Sequence, residues 1–142
     1  MKYDDASWHS GGDFPSDLPA EAGATHSGMF LAWALLNHLG GEFFLTEAPE
    51  AIEELQNRSS TPGAVFLSYC DGKLTEADLS DLGNDFAADY FDLQKGQYIR
   101  DYEAELQAAW PSLYHVPDTW VTFDALRPIL DQRFTEWRAT RG

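Results

Sequence analysis

Apolar positions along the chain change their period several times, and each change marks an element. From Ala24 to Leu39 the residues Met29, Phe30, Leu31, Trp33, Leu35, Leu36 and Leu39 leave almost no polar face, which predicts a helix at the centre of the molecule. Gly40-Gly41 supplies its stop. Pro49 to Gln56 reads as a short amphipathic helix with proline in its first turn, Ile52 and Leu55 inward and Glu50, Glu53 and Glu54 outward. Thr61-Pro62 is an N-cap followed by proline, opening a helix through Val65, Phe66 and Tyr69 that ends at Asp71-Gly72. Ala64-Val65-Phe66-Leu67 also suits a buried strand; the cap chemistry decides for helix.

Thr75-Glu76-Ala77-Asp78 resembles a capping box. It opens the most regular stripe of the chain, Leu79, Leu82, Phe86, Tyr90 and Leu93, at spacings of three and four. Asp78, Asp81, Asp85, Asp89 and Asp92 repeat those spacings one residue earlier, predicting an acidic ridge beside the apolar one. Tyr98 to Ala109 continues the pattern through Ile99, Tyr102 and Leu106, and residues 111–122 read as irregular. Asp124 to Arg138 is helical in pattern, with Leu126, Leu130, Phe134 and Trp137 inward; Pro128 predicts either a kink or a fresh start there. Residues 3–23 carry turn-formers and too few periodic apolar positions for a helix. They are expected to form an ordered loop wrapped on the central helix, with Tyr3, Trp8, Phe14 and Leu18 buried. The sum is a mainly α-helical single domain over 1–142, with a structured segment 1–23 and a helical body 24–142.

Composition supports a folded chain. At 142 residues, 44% hydrophobic and 14% aromatic, there is material for one sizeable core and too much hydrophobicity for disorder. Charge narrows the partners. A net −15 with pI near 4.3 opposes nucleic acid, which needs Lys and Arg to replace counterions, and opposes an anionic membrane surface. A cationic protein surface, a metal ion, or a neutral or cationic small molecule remain. No Lys or Arg occurs between Lys2 and Arg58, whereas Arg127, Arg133, Arg138 and Arg141 crowd the last segment; this layout is expected to draw the two ends of the chain together and leave the acidic middle outward. Cys70 stands alone, so no intramolecular disulfide forms and a reducing compartment is favoured. The opening residues lack a signal-peptide core and no run approaches the roughly 20 apolar residues of a membrane span. A soluble cytoplasmic protein is expected.

His9, Asp13 and His26, with Asp4 and Asp5 as further oxygen donors, are of the residue types that bind divalent transition metals. Their spacing is not that of a one-helix motif such as H-E-x-x-H, so the preferred reading makes His9 and His26 hydrogen-bonding pins. Asp4 with Asp5 or Asp13 as a paired-carboxylate acid/base site is disfavoured, because adjacent acids in extended chain point apart. Cys70 with His115 or His38 as base is disfavoured too, since Asp71 beside the thiol opposes a thiolate. Gly11-Gly12 lacks the Lys or Ser/Thr of a phosphate loop, and Gly23 to Gly28 lacks a preceding strand. No catalytic residue and no cofactor is assigned, and a non-enzymatic role is preferred. The strongest binding signal is the ridge Asp78, Asp81, Asp85, Asp89 and Asp92: like charges at i,i+4 each oppose a helix by roughly 0.2–0.5 kcal/mol, which a basic partner relieves and a merely solvated face tolerates.

The strings Tyr3-Asp4-Asp5-Ala6-x-Trp8-His9-x-Gly11-Gly12-Asp13-Phe14-Pro15 and Glu21-Ala22-Gly23-Ala24-Thr25-His26-x-Gly28-Met29-Phe30-Leu31-Ala32-Trp33 resemble a family of small bacterial proteins without an established activity. The likeness extends through Tyr69 to Thr75, Asp118-Thr119-Trp120 and Arg133-Phe134-x-Glu136-Trp137. Small acidic proteins of this appearance often serve as immunity proteins beside bacterial toxins. That resemblance implies a cytoplasmic protein-binding module that neutralises a cognate toxin through its acidic surface. The alternative is a metal-dependent hydrolase or small-ligand binder at His9, Asp13 and His26.

Overall fold

The computed structural model describes residues 2–9, 14–94 and 96–141. It is mainly α-helical, with one two-stranded ribbon. In chain order come β1 (Lys2–Asp5), α1 (Ala6–His9), α2 (Thr25–Leu36), α3 (Pro49–Asn57), α4 (Pro62–Cys70), β2 (Lys73–Thr75), α5 (Asp81–Tyr90), α6 (Tyr98–Leu106) and α7 (Trp120–Arg141). Short 3₁₀ turns at Ala20–Ala24, Glu76–Asp78, Gln107–Ala109 and Leu113–His115, and a π-turn at Phe43–Glu47, connect them.

Helix α2 is the axis the pattern predicts. Every residue from Thr25 to Leu35 is buried, so the chain cannot use a polar face to orient this helix and must surround it. It packs most extensively on α4, and Phe30 and Trp33 meet Phe86, Phe91, Tyr98 and Phe134 from α5, the loop after it, α6 and α7. The helix stops four residues before the Gly-Gly pair. His38 takes the left-handed conformation (φ 62°), and the Leu39 amide returns to the Ala34 carbonyl at 2.8 Å, closing the last turn without glycine. The glycines serve an approach instead: Gly40 pairs with Leu79, and a Cβ on Gly41 would lie 2.5 Å from the Ala77 carbonyl oxygen.

That pairing also corrects the predicted start of α5. The capping box is present, with Asp78 accepting from the Thr75 amide at 2.8 Å. It caps only a 3₁₀ turn, because Leu79 is extended (φ −121°, ψ 153°) and the Ser80 amide donates to the Leu39 carbonyl at 2.8 Å. Tertiary pairing thus overrides the local helix signal, and α5 begins afresh at Asp81 with Ser80 capping the Gly83 amide.

Residues 2–9 are not the loop expected. Lys2, Asp4 and Asp5 pair antiparallel with Thr75, Leu74 and Lys73, and Asp5 caps the single turn α1 by accepting from the Ser7 amide at 2.9 Å. Phe14 and Leu18 are half-buried, but Trp8 is 54% exposed, its ring met by Lys2 Nζ at 5.1 Å. At the other end α7 runs unbroken through Pro128 from Trp120. Its burial of Phe123, Leu126 and Leu130 on both sides of the proline offsets the lost hydrogen bond. Among the described residues no ion pair joins the acids of the opening segment to the arginines of the last, although the charge layout suggested one. Arg133 and Arg141 instead reach Asp101 and Asp85 on α6 and α5, which α7 packs near.

Candidate functional site

The β1–β2 ladder decides where Asp4 goes. Opposite Leu74, its side chain turns inward and is fully buried, while the neighbouring Asp5 takes Lys2 and the Ser7 hydroxyl at 2.8 and 2.7 Å. The two acids therefore part, as expected for adjacent residues. One helical turn after the strand returns His9 to Asp4, and the first turn of α2 brings His26 and Ser27. The Asp4 carboxylate then has His9 Nε2 at 2.6 Å from Oδ1, and on Oδ2 the Ser27 hydroxyl at 2.5 Å and His26 Nε2 at 2.8 Å. The imidazoles stand edge to face, 4.7 Å between centroids.

Around this cluster lie three tyrosines. Tyr114 sets its hydroxyl 2.8 Å from His9 Nδ1, Tyr98 donates to the His26 carbonyl at 2.5 Å, and the Tyr102 ring lies 6.3 Å from that of His26. Burial alone would raise the Asp4 carboxyl, yet contacts with His26, His9 and Ser27 outweigh it and hold the group well below the usual carboxylate range. The Tyr114 phenol is pushed up by its own burial and by the charges of Asp4 and Glu103. His26 is less complete. Its Nδ1 has no partner among the described residues, and its Nε2, although 2.8 Å from Asp4, is not aligned for a hydrogen bond. The Tyr102 hydroxyl is likewise buried without a partner.

Of the predicted set, His9 and His26 come together, and Asp4 rather than a remote donor is their acid; Asp13 lies outside the described residues. Ligand atoms of Asp4, His9 and His26 lie within 4.8 Å of one another. Ser27 and Tyr114 carry no sequence signal, and Tyr102 carries only that of an inward position in its helix.

The acidic ridge is broken up. Asp78 is buried in the capping box, Asp92 lies past the end of α5 and accepts from the Gln94 amide, Asp85 pairs with Arg141 at 3.1 Å and Asp89 accepts from Trp137 Nε1 at 2.8 Å. Asp81 is exposed at the start of α5. The Gly40–Leu79 pairing and the Gly41 amide on the Asp78 carbonyl at 2.9 Å seat the turn Phe43–Glu47 beside Glu76–Asp78. Phe43 and Leu45 are 39% and 62% exposed there, with Glu42 and Glu47 exposed on the same turn and Glu76 exposed on the turn it packs against. Cys70 contacts Asp78 (Sγ to Oδ1 3.6 Å), and burial with that carboxylate pushes the thiol well up. His115 engages Asp17 and Ser112, so no thiolate–imidazole pair forms among the described residues.

Fold and site together define a helical protein with a buried aspartate–bis-histidine cluster where a two-stranded ribbon meets the central helix. The chain belongs to the DUF7832 family, described as a domain of unknown function, whose profile matches residues 2–116. No curated protein and no solved structure matches it. Among the described residues no helix is long and apolar enough to cross a membrane.

Proposed function

We propose that the chain is a protein-binding module for a cationic partner and, within that class, a cytoplasmic immunity protein that neutralises a bacterial toxin. The observation that carries this reading is the surface at Phe43–Glu47, where two large apolar side chains stand exposed on a turn that carries Glu42 and Glu47 and packs against the turn of Glu76. Apolar anchors inside a charged rim are the anatomy of a recognition surface. Acid around them speeds encounter with a basic groove and opposes anionic competitors. Asp81 is exposed at the start of α5, and Asp85 and Asp89 belong to the reading only if a partner displaces Arg141 and Trp137 from them.

The test begins with the neighbouring reading frame. If it encodes a toxin that is lethal alone and harmless when this protein is co-expressed, the class is supported. Phe43→Ser with Leu45→Ser, or Asp81→Lys, then abolishes protection while unfolding curves stay within about 0.5 kcal/mol of wild type, as for exposed positions generally. A protein that binds no basic partner, or one bound equally well by these variants, removes the reading.

A further inference from the structure

We propose that Asp4, His9 and His26 bind a divalent first-row transition-metal ion of the zinc class, with His9 Nε2, His26 Nε2 and one Asp4 oxygen as the protein ligands.

Two neutral imidazoles and a carboxylate make a donor set that suits zinc and its neighbours and not calcium or magnesium, which take oxygen ligands. Here the three donors come from separate elements, β1, α1 and α2, and converge in a space closed to solvent except at His9, whose side chain is 16% exposed. His9 is the edge by which an ion enters. Its other ring nitrogen meets the Tyr114 hydroxyl at 2.8 Å, the outer hydrogen bond that metal-binding histidines use to fix ring orientation.

A cluster held by hydrogen bonds alone accounts for the geometry less well. Buried polar atoms in folded proteins nearly always have partners, and Asp4 Oδ2 already accepts from Ser27. The second imidazole brings its Nε2 to 2.8 Å of the same oxygen, in a ring 1% exposed, without hydrogen-bond alignment. A ring nitrogen and a carboxylate oxygen held 2.8 Å apart without an aligned proton repel, and a cation bonded to both relieves the repulsion. An ion bonded at about 2.0–2.2 Å to each ligand separates tetrahedral neighbours by roughly 3.4 Å, so the contacts of 2.6 and 2.8 Å open by roughly 0.8 and 0.6 Å to admit it. Tyr98 holds the His26 backbone through its carbonyl, leaving the ring as the part that adjusts. The net −15 of the chain favours a dication at any depth. Three protein ligands leave a tetrahedral ion one open position, the arrangement of reactive zinc sites rather than of closed structural ones.

Full-length protein stripped with chelator and dialysed is titrated with Zn²⁺ alone, by calorimetry with elemental analysis, and with Co²⁺ alone, by visible absorption. The expected result is one equivalent bound, a tetrahedral cobalt spectrum and a raised Tm. His9→Gln, at the one partly exposed ligand of the three, weakens binding at least 100-fold in a protein whose unfolding curve shows it folded; Tyr114→Phe, which keeps all three ligands, weakens it 10- to 100-fold. His115→Gln with His38→Gln leaves it unchanged. Absence of stoichiometric binding in the wild type overturns the proposal, as does binding undiminished in a folded His9→Gln protein.

Discussion

The contact between α2 and α4 makes Gly28 a sharp test of the packing argument. Gly28 sits inside α2, where alanine is intrinsically better by about 1 kcal/mol, so a propensity argument predicts that Gly28→Ala stabilises. Packing says the reverse. A Cβ at this position would lie 2.9 Å from the Gly63 Cα, 3.0 Å from the Pro62 carbonyl oxygen and 3.1 Å from the Gly63 nitrogen, where carbon contacts prefer about 3.5–4.0 Å. All three atoms are backbone, so no rotamer change relieves them and α4 must move outward. Its first turn is fastened, with the Gly63 amide and the Thr61 hydroxyl donating to Asp118 at 2.8 and 2.6 Å. Overpacking of this kind costs about 1–3 kcal/mol; set against the propensity gain of about 1 kcal/mol, Gly28→Ala destabilises by up to about 2 kcal/mol, lowering Tm by up to roughly 6 °C. Urea unfolding measures it, with Ala88→Gly on the exposed side of α5 as the propensity control, losing about 1 kcal/mol. A gain in stability for Gly28→Ala equal to the loss in the control refutes the close-packed crossing.

Three further outcomes follow from individual contacts. Cys70, raised by burial and Asp78, reacts with iodoacetamide at neutral pH only after denaturant is added; native and unfolded chains reacting at one rate would contradict its environment. Arg133 forks onto Asp101 at 2.9 and 3.0 Å while Tyr90 donates to the same carboxylate at 2.6 Å, so Arg133→Met loses about 1–3 kcal/mol in chemical denaturation and Arg133→Lys, unable to make the fork, recovers only part of it. The Tyr69 phenol, bonded to Glu54, is pushed up to about 12 from an ordinary 10.0. A raised pKa stabilises the fold below the unfolded value, so the deficit of Tyr69→Phe is constant up to about pH 10 and shrinks toward pH 12; a deficit that does not change over that window denies the hydrogen bond.

Helices whose apolar residues recur locally are legible in the chain: α3, α4 and α6 lie where period and caps put them, and α2 lies where its period does but ends before the Gly40-Gly41 stop. What escaped was set by partners remote in sequence. Lys2-Tyr3-Asp4-Asp5 has neither alternation nor β-branched residues, and becomes a strand only because residues 73–75 offer an edge; its fully buried residue is an acid, Asp4, the inverse of the rule that reads strands. Thr75–Asp78 kept its local capping chemistry and still failed to start α5, since the Leu39–Gly40 backbone claims Leu79 and Ser80. Trp8 was assigned to the interior on size alone, whereas an aromatic ring can instead remain half-exposed under a lysine.

Half the cluster could be read and half could not, and the division follows covalent distance. His9 and His26 stood out as residue types, but choosing their carboxylate required the chain reversal at α1: a strand feeding one helical turn carries residue 9 back onto residue 4, a closure invisible while residues 3–23 are taken as loop. Tyr114, 105 residues from the imidazole it meets, was beyond any local argument. The same ribbon links this cluster to the acidic face. Asp4 pairs with Leu74, Thr75 opens the capping box, and the Asp78 carbonyl accepts the Gly41 amide that seats the Phe43–Glu47 turn. Cluster and face share no side chain, yet both depend on β2 being in register. Substitutions confined to Phe43 and Leu45 therefore leave the Asp4 site intact, while any change that frees β1 from β2 reaches both at once.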